Sequence, residues 1–361
     1  MSTASAIERA LEADTPVMLV GPPGAGKTAF ITNEACRKGA HLEVLIGSTM
    51  DPTDLGFLVI REQSVVVEPP AWARRIEKAL SGRKETWLFL DEFTSMPPSV
   101  MAAFLRVVNE RFVGPVDIRG CRIIGAMNPV EQAANGNDLD DASRGRWCFL
   151  DWNVVPAEWC AGMLKNWDIE DDAGADARVF IAGFIKMHAK MLMSDKKPVT
   201  GGYESPRSWT NLSRVLSKIN KDPRKAALSE EGALLGVGLV GKGAFGEFVT
   251  YADAMDIPDP EALLYGFAEF PERGDQQMVC CDSLIAAAMK KHPDREERVK
   301  RASERICELR TDVALPAISM LTTMLTPKER LWLSDGVISL GDKSKEITTA
   351  HETRAKKKKK E

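Results

Sequence analysis

Apolar and polar positions follow two different periods along this chain, and the change falls near residue 155. Up to that point, short apolar runs stand between amphipathic stretches: PVMLV (16–20), LEVLI (42–46), WLFLD (87–91), RIIGAM (122–127) and RWCFL (146–150). Each has strand length and little alternation, which is how strands buried on both faces read. Between them, AFITNEACRK (29–38) and PSVMAAFLRVVNER (98–111) carry apolar residues at helical spacing. Gly39 stands where a C-terminal cap would, and Pro97 and Pro98 stand at a helix start, where proline is tolerated. Strands alternating with helices predict an α/β unit with a parallel sheet.

Beyond about residue 156 the strand-like runs stop. ARVFIAGFIKMHAKMLM (177–193), PRSWTNLSRVLSKI (206–219) and DSLIAAAMKKH (282–292) have helical patterning, so the second half is expected to be all-α. From Gly341 the chain is polar and ends RAKKKKKE, which reads as a solvated, disordered tail. The expected organisation is therefore 1–155, 156–340 and a tail at 341–361.

The bulk numbers narrow the function classes. A chain of 361 residues has room for two domains. A net charge of −4 gives no general attraction to nucleic acid or acidic membranes. No apolar run reaches the length of a membrane span, and the start MSTASAIERALEAD lacks a signal-peptide core, so the expected location is cytoplasmic with no membrane partner. Seven cysteines form no CxxC pair and mostly fall in apolar stretches, which predicts buried free thiols. The four histidines have no cysteine neighbour at ligand spacing and read as ordinary histidines.

GPPGAGKT (21–28) lies between the first strand and the first helix, and matches GxxxxGK[ST] in full. The candidate nucleotide-binding residues are Gly21, Pro22, Pro23, Gly24, Ala25, Gly26, Lys27, Thr28 and Ala29. The glycines let backbone N–H groups curl around phosphate oxygens, and the helix adds its positive N-terminal end. Lys27 would reach the β- and γ-phosphates, and Thr28 would offer a hydroxyl to Mg²⁺. WLFLDEF (87–93) ends a buried strand in two acids, at the edge where such sheets bind ligands. Asp91 fits the acid that holds Mg²⁺, and Glu92 the base that polarises the attacking water. RIIGAMNP (122–129) ends another strand in Asn128, whose amide would donate to a γ-phosphate or orient the water. An Asn-Pro turn is the plainer alternative there.

These three parts in this order resemble the AAA+ ATPases, and within them the MoxR-like branch, relatives of magnesium chelatase subunits. MDPTDLGFL (50–58), DEFTSMPPSVMAAFLRVVNER (91–111) and GLVGKGAFGEFVTY (238–251) strengthen the resemblance to that branch. It implies an α/β P-loop NTPase fold, a parallel sheet with flanking helices, followed by an all-α lid. It also implies Mg-dependent ATP hydrolysis, with Lys27 and Thr28 as Walker A, Asp91 and Glu92 as Walker B, and Asn128 as sensor 1. In SPRSW (205–209), Ser205 suits an N-cap and Pro206 the first helical position, which puts Arg207 in the first turn. The resemblance makes Arg207 the sensor 2 arginine that touches nucleotide phosphate; a surface arginine is the plainer reading.

LDDASRGRWCF (139–149) places Arg144 and Arg146 just before an apolar run. The family pattern L-x-x-A-x-x-x-R-F fits Leu139, Ala142, Arg146 and Trp147, with tryptophan in place of phenylalanine. It makes Arg146 an arginine finger for a neighbouring subunit, a role Arg144 could share or take. Such a finger implies a homo-oligomeric ring, expected as a hexamer. The alternative is a salt bridge within the subunit to Asp138, Asp140 or Asp141. Two insertions could touch a client: the hairpin-like LGFLVIREQSVVVEPPAW (55–72) and the Gly-Pro turn in RFVGPVDIRGC (111–121). Plain packing is the ordinary expectation for both, with Phe57 and Trp72 in the core.

The resemblance further implies a chaperone-like role toward a protein complex, with a partner carrying a von Willebrand factor A domain. A nucleic-acid motor is disfavoured by the acidic charge and the lack of a basic-aromatic stripe. A nucleotide-gated scaffold is disfavoured by the intact Lys27, Asp91 and Glu92. A P-loop reads phosphates and not the base, so GTP stays open beside ATP.

Overall fold

The computed structural model describes residues 3–61, 64–129, 139, 141–165, 174–194, 200–338 and 340–341. The chain divides into two units, Met1–Val154 and Val155–Glu361.

The first unit contains helices α1 (Thr3–Glu12), α2 (Lys27–Arg37), α3 (Ala71–Ser81), α4 (Pro98–Glu110) and α5 (Asp141–Arg144). Its strands are β1 (Val17–Val20), β2 (His41–Ile46), β3 (Phe57–Arg61), β4 (Ser64–Glu68), β5 (Thr86–Asp91), β6 (Phe112–Val113), β7 (Val116–Asp117), β8 (Arg122–Met127) and β9 (Cys148–Asp151). Five of them form one parallel sheet in the order β2-β5-β8-β1-β9.

Successive side chains leave the sheet on opposite faces, and each face has its own core. Val17, Leu19, Trp87, Phe89, Ile124 and Ala126 pack with Ile7 and Leu11 of α1 and Ile31 of α2. Met18, Leu88, Leu90 and Ile123 pack on the other face with Ile76 of α3 and Phe104 and Val107 of α4. A strand sandwiched this way is mostly apolar, and β5 is buried from Thr86 to Leu90, with only Asp91 partly covered. The edge strands β2 and β9 alternate between covered and exposed positions instead. Strand β1 lies between β8 and β9, so the chain crosses to one side of β1 first and to the other side later. That makes a switch point, where open α/β sheets bind ligands beyond the carboxyl ends of their strands.

Several sequence expectations shift here. The run at 146–150 starts its strand only at Cys148, because a turn closes first: Gly145 N–H donates to Asp141 and Trp147 N–H to Arg144. The segment 55–72 does contain a hairpin, with β3 and β4 antiparallel and Leu58 opposite Val67. Its packing is divided. Trp72 is buried, whereas Phe57 is 47% exposed and Leu58 and Ile60 more so. Phe57 is therefore not a core residue. The Gly-Pro segment forms the short antiparallel pair β6–β7.

The described part of the second unit contains no strand. Its helices are α6 (Pro156–Lys165), α7 (Ala175–Met187), α8 (Pro206–Ile219), α9 (Pro223–Leu228), α10 (Glu230–Val240), α11 (Lys242–Ala254), α12 (Pro260–Leu264), α13 (Gly274–Met289), α14 (Arg295–Cys307) and α15 (Thr311–Met324). Helix α7 ends six residues before the patterned stretch does, and a short 3-10 turn follows at Ala189–Leu192. Helix α13 starts eight residues earlier than the apolar pattern at 282–292 indicates. An aromatic cluster of Phe180, Phe184, Trp209, Phe248 and Tyr251 fills the core. No described helix is long and apolar enough to cross a membrane. Of the seven cysteines, all free, Cys121, Cys160, Cys280 and Cys281 are buried, Cys148 and Cys307 are partly covered, and Cys36 is exposed.

Candidate active site

The site grows from the carboxyl edge of the parallel sheet. Register places Val20 of β1 beside Met127 of β8 and Asp151 of β9, and Ile46 of β2 beside Asp91 of β5. The residues that follow these strand ends therefore share one edge: Gly21, Gly47, Glu92, Asn128 and Trp152.

The loop from Gly21 to Gly26 needs backbone that most side chains resist. Gly24 and Gly26 have φ of 82° and 87°, in the left-handed region where a Cβ is strained. Gly26 caps α2, so the helix begins at Lys27 and its free N–H groups face the loop. Lys27 is only 7% exposed. Its Nζ donates to the carbonyls of Gly21 at 2.6 Å and Pro22 at 3.1 Å, and to Asn128 Oδ1 at 3.1 Å. The amine and the Asn128 amide thus lie side by side although 101 residues separate them.

Thr28 and Asp91 meet as closely. Thr28 Oγ1 donates to Asp91 Oδ2 at 2.5 Å. A hydroxyl and a carboxylate converging beside a phosphate loop fit a Mg²⁺ ion that completes its shell with water and phosphate oxygens. Among the described residues no group of three or more His, Cys, Asp or Glu could hold a metal alone.

Glu92 sits in the left-handed region with φ 52°, uncommon for a non-glycine residue. Its N–H donates to Asp91 Oδ1 at 2.9 Å, and its carboxylate accepts from Ser48 Oγ at 2.5 Å. Gly47 permits that meeting, since a Cβ on Gly47 would lie 2.4 Å from the Glu92 carbonyl oxygen. Two residues of this edge, Ser48 and Trp152, escape the motif reading. Trp152 directly follows β9 as Asn128 follows β8, so the strand-end rule that selects Asn128 would also have selected it, whereas Ser48 stands one residue further from the end of β2. Trp152 Nε1 donates to the Ala25 carbonyl at 3.0 Å.

Arg144 and Arg146 stand elsewhere. They precede β9, whose first residue Cys148 pairs with Val17 at the start of β1, while the phosphate loop follows the other end of β1. Arg144 is exposed and Arg146 half-buried. Trp147 anchors the segment in the core, 5.3 Å edge-on to Phe93. Asp138 and Asp140, two of the candidate carboxylates, lie outside the described residues, as does the side chain of Ala142. So does all but Gly341 of the tail. Arg207 belongs to the second unit and is exposed in the first turn of α8; the Ser205 hydroxyl accepts from Ser208 N–H at 3.1 Å and caps that helix.

Solved structures with some likeness include the RuvB Holliday junction branch migration motor of Thermotoga maritima. It is 15% identical, with 73% of this chain and 74% of that chain covered, at a TM-score of 0.35. A mutant of the same RuvB is 16% identical over 83% and 86% of the two chains, at 0.36. A protein from Cytophaga hutchinsonii, provisionally assigned as an ATPase, is 16% identical over 66% and 81%, at 0.34. No curated protein matches the sequence. A family description, the AAA domain of the dynein-related subfamily, matches residues 16–147. The first unit of this chain is therefore a P-loop AAA fold, matching the AAA domain of the dynein-related subfamily over residues 16–147.

Proposed function

We propose that this chain is a Mg-dependent ATPase of MoxR-like type that works as a homo-oligomeric ring, with a hexamer as the expected size. The observation that carries the reading is the convergence of Lys27, Thr28, Asp91 and Asn128 at one sheet edge, through Lys27–Asn128 at 3.1 Å and Thr28–Asp91 at 2.5 Å. In this reading the Gly21–Gly26 amides and the α2 N-terminus hold the phosphates, and Lys27 neutralises the β- and γ-oxygens. Mg²⁺ bound by Thr28 and Asp91 would supply charge neutralisation at the transferred phosphoryl group. Glu92 takes a proton from the attacking water, and Asn128 orients that water or the γ-phosphate.

Arg146, with Arg144 beside it, is assigned to the nucleotide site of a neighbouring subunit. Its place before β9, at the other end of the β1–β9 pair from the phosphate loop, supports a role in trans. The second unit is assigned as the lid, with Arg207 as its phosphate-touching arginine. The cation at a helix N-terminus opposes the local dipole, and a bound anion offsets that cost. Movement of such a lid would drive chaperone-like remodelling of a protein complex, and a von Willebrand factor A domain protein is the partner class the MoxR-like resemblance suggests.

The test is ATPase rate against protein concentration for wild type, Glu92→Gln, Arg146→Ala and an equal mixture of the two variants. The expected result is a rate per chain that rises with concentration and two inactive single variants. The mixture should regain activity, because some sites then pair an intact Glu92 with a neighbour's intact Arg146. A concentration-independent rate with active Arg146→Ala would remove the ring and the finger together. Stimulation only by DNA would favour a nucleic-acid motor, and nucleotide trapped without turnover a gated scaffold.

A further inference from the structure

Trp152 has no part in the roles above, yet it touches the phosphate loop at both ends. Its backbone N–H donates at 2.7 Å to the carbonyl of Val20, the residue before the loop. Its indole N–H donates at 3.0 Å to the carbonyl of Ala25, near the loop's end. Its ring lies 4.8 Å from Phe30 in α2. The contact at the loop start is tight, since a Cβ on Gly21 would sit 2.5 Å from the Trp152 carbonyl oxygen.

The indole bond has a directional consequence. The peptide unit between Ala25 and Gly26 is planar and trans, so its C=O and N–H point opposite ways. Holding the Ala25 carbonyl on the indole therefore aims the Gly26 N–H away from Trp152. Gly26 is the left-handed cap before Lys27, and backbone N–H groups of such a stretch are the donors a phosphate meets. Glycine-rich backbone is also where ordering costs most entropy. A loop ordered before the ligand arrives binds it more tightly.

We propose that Trp152 is a positioning residue for phosphate recognition: its indole fixes the Ala25–Gly26 peptide so that the Gly26 N–H is already aimed when nucleotide enters. The proposal rests on the ATPase reading. It assigns Trp152 an effect on affinity and none on the chemical step, which belongs to Glu92 and Asn128.

The experiment compares the full-length wild type with Trp152→Phe, which keeps a ring against Phe30 and removes the donor. Binding of Mg²⁺ with a non-hydrolysable ATP analogue, ATP turnover and the denaturation midpoint are measured on both. The variant should bind the analogue about tenfold more weakly and show a KM raised to match, as the loss of one hydrogen bond and some loop order predicts. Its kcat should stay within about twofold and its denaturation midpoint close to wild type. Wild type minus variant fluorescence should contain an indole signal that changes on adding the analogue. Unchanged affinity in the variant, or a lowered kcat at unchanged affinity, overturns the proposal while the ATPase reading stands. If the wild type itself neither binds the analogue nor hydrolyses ATP, the ATPase reading falls and takes this proposal with it.

Discussion

Lys27 in the first unit and Lys186 in the second are held in opposite ways. Lys27 Nζ rests on two backbone carbonyls and the Asn128 amide oxygen. Lys186 Nζ donates to both carboxylate oxygens of Asp282, at 2.5 and 2.6 Å, and Asp282 is only 4% exposed. Burial pushes the Asp282 carboxyl up from its ordinary range, and the Lys186 charge pulls it back down. Carbonyl and amide oxygens hold an ammonium group less strongly than an anion does, so a phosphate can compete with these acceptors for Lys27. Lys186 cannot leave without stranding a buried carboxylate. The first arrangement is suited to binding and the second to holding helices together.

Exchanging the two lysines' fates gives the largest effect. Lys27→Ala should weaken Mg-nucleotide binding by about 100-fold, since charge-assisted contacts to phosphate are lost, and should change unfolding free energy by less than about 1 kcal/mol. Lys186→Ala should do the reverse, removing about 3 kcal/mol from unfolding while nucleotide binding to the folded protein stays within about twofold. Titration calorimetry and chemical denaturation on both variants decide it. A Lys27→Ala chain that loses stability and keeps binding would erase the distinction.

The two units also differ in how plainly the sequence announces them. Strand β5 is readable because a strand covered on both faces is mostly apolar, so the run WLFL stands out. The phosphate loop is readable for a local reason: its backbone conformations admit few residues, as Gly24 and Gly26 demonstrate. What escapes are pairings between distant segments. Nothing near Ser48 announces Glu92, 44 residues on, and nothing near Trp152 announces Ala25, 127 residues back. Phe57 fails in the opposite direction. An apolar residue in a strand pattern is expected inside, but among the described residues β3 pairs with β4 and not with the main sheet, and the ring is left 47% exposed. In the second unit helical periodicity finds α8 to the residue. It misplaces the ends of α7 and α13, neither of which carries a side-chain cap hydrogen bond, whereas Ser205 caps α8.

The thiols sharpen the contrast by pH. Burial pushes Cys121 in the first unit, and Cys160 and Cys280 in the second, from 9.0 up to about 12, and pushes Cys281 up as well. A raised folded-state value means that the unfolded chain loses its proton first. The stability is thus fully present below pH 9 and drains away as pH climbs from there toward 12. Each thiol contributes a slope of about 1.4 kcal/mol per pH unit across that window. Burial also raises Cys307, and four such thiols against one should make the second unit lose stability more steeply. Denaturation from pH 8 to 10.5, followed by amide exchange to separate the units, checks this. Cys160→Ala and Cys280→Ala should each flatten the second unit's slope, and equal slopes in the two units would contradict the burial argument. Native alkylation should label Cys36 first.

The smallest effect concerns Ser48, which tests whether polar contacts in the first unit serve chemistry or folding. Its hydroxyl donates to the Glu92 carboxylate at 2.5 Å, and Glu92 is already held in left-handed backbone at φ 52°. The Ser48 contact is to the carboxylate and not to the strained backbone, so it bears on where the carboxylate points. The serine is exposed, so removing its hydroxyl leaves no buried group unsatisfied and should barely alter stability. Ser48→Ala should instead lower kcat about fivefold with KM unchanged, as expected for one hydrogen bond that aims a base. Ser48→Thr, which keeps the hydroxyl, should restore most of the rate. A change in KM would mean that Ser48 acts on binding, and an unchanged kcat would mean that the Glu92 carboxylate reaches its working position without it.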